Sequence, residues 1–211
     1  MNIHTTVETL VRLFPVLRSL YEIPEETAAV AVGIGVHPNG EEASGRSAAN
    51  AITAFLLQKF GYAKHIVLLS LNKHPKTRLD ETRAMRRSIP GIIHNLVMDP
   101  GVLEDGQTDN TFLNMLRLRG IVQRLDLKCV VICAQKRHAR RCGWTARWAL
   151  RGLGVKVVVL YVPGKYDKEA TGFFEKPFGF WCREKFVWVY AVYYMVRNWN
   201  LPFQNEQKTG R

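Results

Sequence analysis

Acidic residues are scarce in this sequence, where 18 Asp and Glu stand against 30 Lys and Arg, so that 30 − 18 gives a formal charge of +12. Cysteine is also scarce, with four in 211 residues. This excludes a disulfide framework and favours a reducing compartment. No basic segment with an apolar core and a cleavage site is visible at the start. We therefore predict a soluble, cytoplasmic, basic protein with an anionic partner.

Long apolar runs are missing as well. The longest, residues 186–196, is about half of the ~20 residues that a membrane-spanning helix needs. Neither a Gly-x-Ser-x-Gly elbow nor a Walker-type loop is present, so the common signatures of a serine nucleophile and of a triphosphate site are absent. The composition, 47% apolar and 23% charged, excludes a disordered or collagen-like chain.

Strand-like apolar runs alternate with helical segments along most of the chain. Strands are predicted at 28–34, 65–71, 92–98, 128–134 and 155–162, and helices at 45–60, 79–87, 109–125 and 138–151. This alternation predicts a single Rossmann-like α/β domain over 1–211, with a core at about 27–162. Its five-stranded sheet is mainly parallel and carries helices on both faces. An N-terminal helix at 5–21 and an aromatic C-terminal helix at 181–199 are predicted to flank that core.

Polar side chains follow every predicted strand, where the loops lead into helix N-termini. Because ligands of open parallel sheets bind outside the carboxyl ends of the strands, we expect a polar and rather basic site there. The ligand-binding candidates are Gly33, Gly35, Arg46, Asn72, Lys73, Asn110, Thr111, Asn114, Gln135 and Arg141. Gly33 and Gly35 form only half of a dinucleotide fingerprint, and a tight turn explains them equally well. An N-cap with a polar helix face likewise explains Asn110, Thr111 and Asn114.

Basic residues collect at the start of the helix after the fourth strand. The positive end of the helix dipole disfavours cations there unless an anion lies among them. His138 and Arg141 are three residues apart and share a helix face, so we expect both to contact a ligand. The unperturbed pKa of histidine, near 6.5, makes His138 the candidate acid/base. Glu81, which follows a basic loop, is the second catalytic candidate.

The cysteines and the C-terminal aromatic residues both have simpler interpretations than metal binding and base stacking. Cys129 and Cys133 lie about 13 Å apart on a strand, which is too far to share a zinc ion, so no metal is predicted. The aromatic helix at 181–199 favours a core or oligomer interface. Its basic residues leave contact with an anionic membrane surface as an alternative.

Four motifs in order resemble the YdcF-like family, a domain of unknown function that includes the ElyC and SanA envelope proteins. They are Gly33-x-Gly35 with Arg46, Glu81-x-x-x-Met85, Asn110-Thr111-x-x-Asn114 and His138-x-x-Arg141. The similarity spans about 28–161. It implies a Rossmann-like fold with these residues lining one pocket, and S-adenosylmethionine as the cofactor, since its binding is associated with a YdcF-type member.

Two segments depart from the family pattern. Residues 71–74 are Leu-Asn-Lys-His where members usually have Ser-Gly-Gly. Gln135-Lys136-Arg137 stands where a Ser/Thr and small or aromatic residues commonly precede the histidine. Both changes favour a more anionic ligand.

The leading hypothesis is therefore a pocket for an anionic small molecule that is nucleotide-like, S-adenosylmethionine-like or phosphorylated, with transferase or hydrolase chemistry as its enzymatic form. In it, Arg46 and Arg141 clamp the anion. The alternatives are a nonenzymatic nucleic-acid-binding protein, without a recognisable motif, and a peripheral envelope-associated factor.

Overall fold

Five parallel strands form one sheet in the order β3-β2-β1-β4-β5. The computed structural model describes residues 23–34, 37, 39–70, 77, 79–91, 93–99, 111–162, 189, 192, 193 and 195–197. The strands are β1 (Thr27–Val32), β2 (His65–Leu69), β3 (Leu96–Asp99), β4 (Cys129–Gln135) and β5 (Lys156–Val162). The helices are α1 (Gly45–Lys59), α2 (Glu81–Arg87), α3 (Thr111–Arg124) and α4 (Lys136–Ala149). The predicted α/β fold with a parallel five-stranded sheet is confirmed.

The central strand β1 is buried along its whole length, as a parallel strand covered on both faces must be. Its Val30 lies beside Val67 of β2 and Ile132 of β4 in the register of the sheet. Three of its six residues are alanines, so the helices on both sides can approach the strand closely.

Alternate residues of β1 belong to two separate apolar clusters. Ala29 and Ala31 pack with residues of α1 and α2 on one face of the sheet. Ala28 and Val30 pack with residues of α3 and α4 on the other. The helix that follows β1 therefore packs on one face of the sheet, and the helix that follows β4 packs on the opposite face. Because β1 and β4 are neighbours, the topological switch point that binds ligands in open α/β sheets lies between them.

Several element boundaries differ by one to four residues from those predicted, and two of these differences have identifiable reasons. The third strand begins at Leu96 instead of residue 92, because Asn95 adopts a left-handed backbone conformation with φ of 54° just before it. The last helix begins at Lys136 instead of residue 138. There β4 runs to Gln135, whose extended backbone serves directly as the N-cap of α4.

The chain termini are described only in part. The predicted helix at 5–21 lies outside the described residues. In the predicted C-terminal helix, residues 189, 192, 193 and 195–197 are helical, and Met195 packs into the apolar cluster of α3 and α4. Among the residues with a described structure, no helix combines the length and apolarity required to cross a membrane.

A buried arginine joins the two helices on one face. Arg119 of α3 donates from one guanidinium nitrogen to the carbonyl oxygens of Ala149, at 2.8 Å, and Arg151, at 2.9 Å. These carbonyls lie at and just beyond the end of α4, where helix carbonyls lack partners within the helix. Nearby, Trp148 of α4 meets Phe112 of α3 edge to face, with ring centroids 5.9 Å apart. Arg119 therefore caps α4 from within the core.

We predict that Arg119→Met lowers the free energy of unfolding by about 2–4 kcal/mol, because it leaves buried carbonyl groups without donors. Chemical denaturation of the variant measures the loss. The matched control is Arg124→Met, at an exposed position of the same helix, which should change stability by less than about 0.5 kcal/mol. Equal losses in the two variants would contradict the capping role.

Candidate functional site

Two groups of buried polar residues lie at the carboxyl edge of the sheet, one on each face. On the α1 and α2 face they are Arg46, Ser47, Asn50, Ser70 and Glu81. On the α3 and α4 face they are Thr111, Asn114, His138 and Arg141. Since α1 follows β1 and α4 follows β4, the two groups lie on either side of the switch point between those strands.

The carboxylate of Glu81 is fully buried and joins three elements. One oxygen accepts the backbone N–H of Ile34, just after β1, at 2.8 Å, and the hydroxyl of Ser47 in α1 at 2.5 Å. The other oxygen accepts the hydroxyl of Ser70, just after β2, at 2.5 Å. Both oxygens of this predicted catalytic carboxylate are therefore engaged by donors of the protein itself.

Gly33 allows Glu81 to come this close to β1. A Cβ atom at position 33 would lie 2.5 Å from the carboxyl carbon of Glu81, well inside contact distance. Gly33, the first glycine of the predicted Gly-x-Gly motif, is thus needed because the Glu81 side chain lies against it. Gly35, its partner in the motif, lies outside the described residues.

The start of α1 is capped by the residue before it and is tied to the end of β1 by one of its side chains. The Ser44 hydroxyl caps the helix by accepting the backbone N–H of Ser47 at 3.3 Å. Asn50 donates its side-chain amide to the carbonyl oxygen of Val32 at 2.8 Å. Arg46, predicted to bind the ligand, is buried in the first turn of this helix. The anchored helix therefore fixes the backbone position of Arg46 beside the switch point.

On the other face, His138 and Arg141 of α4 are hydrogen-bonded to each other. A terminal guanidinium nitrogen of Arg141 lies 2.7 Å from Nδ1 of His138. The Nε of Arg141 donates to the hydroxyl of Thr111, at the start of α3, at 3.2 Å. All three side chains are buried, so the structure brings three of the predicted site residues into one network.

The bond between Arg141 and His138 fixes the tautomer of the imidazole. A guanidinium can only donate, so Nδ1 of His138 must accept and carries no proton. The neutral ring then holds its proton on Nε2. In this arrangement Nε2 of His138 is a hydrogen-bond donor.

The remaining predicted residues fall into two classes. Asn114 is buried in α3 one turn after Thr111, and Gln135 is half-buried at the end of β4 as the N-cap residue of α4. Asn72, Lys73 and Asn110 lie outside the described residues, so their part in the site stays a prediction.

Sequence patterns missed three buried polar residues on this face of the sheet: Ser47 and Ser70, which contact Glu81, and Asn50, which contacts Val32. Ser47 and Asn50 are three residues apart and lie on the buried face of α1. Polar residues at such spacing within an otherwise apolar stripe are a sequence signal that could have identified them. Ser70 directly follows a buried strand, a position where sequence alone does not distinguish a loop serine from a buried one.

The cysteines of the core are buried and carry free thiols. Burial raises the pKa of the Cys133 thiol and also that of Cys129, which keeps both protonated at neutral pH. Within the described residues, no group of three or more His, Cys, Asp or Glu side chains is arranged to hold a metal ion.

Searches of protein-family models, of curated proteins and of solved structures returned no match to this chain.

We predict that Gly33→Ala lowers the free energy of unfolding by about 1–3 kcal/mol, because the new methyl group collides with the Glu81 carboxylate. In a double-mutant cycle with Glu81→Ala, the loss from Gly33→Ala should shrink by about 1 kcal/mol or more. Chemical denaturation of the four proteins measures this coupling.

Gly120→Ala provides the control, because a Cβ atom there meets nothing within 4 Å. In a helix this change should be neutral or stabilising by up to about 1 kcal/mol. Additive effects of Gly33→Ala and Glu81→Ala would show that the contact between them is unimportant.

Proposed function

We propose that this protein binds an anionic small molecule at the carboxyl edge of the sheet, in the crevice between β1 and β4. The ligand class is nucleotide-like, S-adenosylmethionine-like or phosphorylated. The observation that carries this proposal is the buried network of Arg141, His138 and Thr111, which holds a guanidinium and an imidazole N–H in fixed positions at the start of α4.

The groups at this site can each bind a negatively charged oxygen atom of a ligand. Arg141 supplies a positive charge whose hydrogen bonds to carboxylate or phosphate are about twice as strong as neutral ones. His138 supplies a neutral donor from Nε2. The N-terminus of α4 adds the positive end of its dipole. From the other side of the crevice, Arg46 of α1 is proposed as the second cationic group.

The hydrogen-bonding pattern favours a binding role for His138 and a positioning role for Glu81 over a catalytic role for either. To accept a proton at Nε2, His138 would first have to move its own proton to Nδ1 and break the bond from Arg141. Glu81 uses both oxygens to hold the ends of β1 and β2, so we propose it as a positioning residue. A transferase or hydrolase reaction with His138 as acid/base stays the enzymatic form of the proposal.

The resemblance to the YdcF-like family stays a prediction that depends on four short motifs. It places S-adenosylmethionine among the first ligands to test. The structure supports that choice only through the carboxylate of S-adenosylmethionine, a group that many ligands carry and that can bind to Arg141.

We expect isothermal titration calorimetry to detect binding of at least one member of a panel of S-adenosylmethionine, nucleotides and sugar phosphates. Arg141→Ala should weaken that binding by about 10- to 100-fold, the range for loss of a charged hydrogen bond. Arg124→Ala is the matched control: it removes the same charge from an exposed position of α3, outside the site. Thermal unfolding establishes that both variants are folded. Equal affinity of wild type and Arg141→Ala would refute the site.

We predict that two substitutions of His138 differ in their effect on the same ligand. His138→Gln can place an amide N–H near the position of Nε2, so it should retain affinity within about fivefold. His138→Asn can accept from Arg141 but offers no donor at the Nε2 position, so it should lose about tenfold. Calorimetry with the ligand identified above measures both. Undiminished binding by His138→Asn would contradict the donor role.

A further inference from the structure

The basic charge of this protein is concentrated in one segment. Residues 127–166, which include β4, α4 and β5, contain no Asp or Glu and nine basic residues: Lys128, Lys136, Arg137, Arg140, Arg141, Arg147, Arg151, Lys156 and Lys165. The rest of the chain therefore contributes only 12 − 9 = +3 to the net charge. Arg141 belongs to the buried network, whereas Arg140, Arg147 and Lys156 are exposed.

The outer side of α4 presents cations and an aromatic ring together. Arg140, Trp144 and Arg147 are spaced by four and three residues, so they share one face of the helix, away from the apolar cluster. Trp144 is 59% exposed, which is unusual for so large an apolar side chain. The same helix thus carries Arg141 inside the protein and Arg140 outside it.

The outer face of α4 is continuous with the edge strand β5. A Cβ atom at Gly143 would lie 2.5 Å from the Val159 side chain, so helix and strand are in direct contact. Arg147 reaches across to donate to the carbonyl oxygen of Val157 at 3.3 Å. Tyr161 lies two residues beyond Val159 on the same face of β5 and is 49% exposed. We call the surface formed by Arg140, Trp144, Arg147 and Tyr161 the α4–β5 face.

We propose that the α4–β5 face binds single-stranded nucleic acid, independently of the ligand site at the carboxyl edge. The phosphate backbone would lie along the cations of a segment that contains no acidic residue. Exposed aromatic rings provide stacking platforms for unpaired bases, and arginine planes add to that stacking. RNA and DNA share this chemistry, so the face carries no preference between them.

Other occupants fit the α4–β5 face less well. A second copy of the chain would bring the same excess of positive charge against itself. Insertion into a bilayer needs a contiguous apolar face, whereas Trp144 stands between two arginines on its helix. Aromatic rings that stand apart from each other can stack on unpaired bases, while the cations beside them bind the phosphates that join those bases.

The test is fluorescence anisotropy with the full chain and a labelled oligo(U) or oligo(dT) of about 12 nucleotides, within the ~4–16 nucleotides that single-strand-binding folds cover. Affinity should fall steeply with added salt. Arg140→Ala with Arg147→Ala should reduce the slope of log affinity against log salt by about 1.4, since each phosphate contact contributes about 0.7. Trp144→Ala and Tyr161→Ala should each weaken binding by about tenfold.

Matched controls separate the α4–β5 face from the overall charge. Lys59→Ala with Arg124→Ala removes two exposed cations from other helices and should leave the slope within about 0.4 of wild type. Phe60→Ala removes an exposed aromatic ring elsewhere and should not alter affinity.

Four results would overturn the proposal: no binding at low salt, equal slopes for the two double variants, unchanged affinity of Trp144→Ala, or equally tight binding of the corresponding duplex. Co-sedimentation with anionic vesicles that depends on Trp144, without oligonucleotide binding, would assign the face to membranes instead.

Discussion

The carboxylate of Glu81 is the constraint on which the carboxyl edge of the sheet depends. It is fully buried, and a buried carboxylate requires hydrogen bonds to offset the loss of water. It obtains them from Ile34, Ser47 and Ser70, which belong to the end of β1, the start of α1 and the end of β2. The position of the first βα turn is therefore set by one side chain from a helix 47 residues further along the sequence.

The helix α4 separates two kinds of positive charge. Arg141 is enclosed by His138 and Thr111, so its position is defined by hydrogen bonds. Arg140 is exposed, so its effect depends on salt and on the charges around it. Neighbouring residues of one helix thereby face two environments, because successive residues point about 100° apart. A buried arginine suits recognition of one group in a defined geometry, whereas an exposed one suits attraction of a long anion.

Sequence patterns predicted the fold well and the site in part. The strands were predictable because parallel strands buried on both faces are continuous apolar runs, as in residues 28–32 and 129–134. The pairing of His138 with Arg141 was predictable because residues three apart share a helix face. The contacts of Glu81 were not predictable, since Ser47 and Ser70 come together with it only through the crossover connections. Arg119 was missed for the same reason: its partners are carbonyl groups at least 30 residues away.

The pairing of the central strand β1 also affects how the chain folds. One edge of β1 pairs with β2, close in sequence, but the other pairs with β4, where Ala29 lies beside Val131 and 131 − 29 gives 102 residues of separation. Such distant pairing slows folding, because the intervening loop must be closed first. During synthesis at about 5–20 residues per second, β1 would await its second neighbour for roughly 5–20 s. Over that interval the second edge of β1 lacks its partner strand, and an unpaired apolar strand edge is a place where chains can associate.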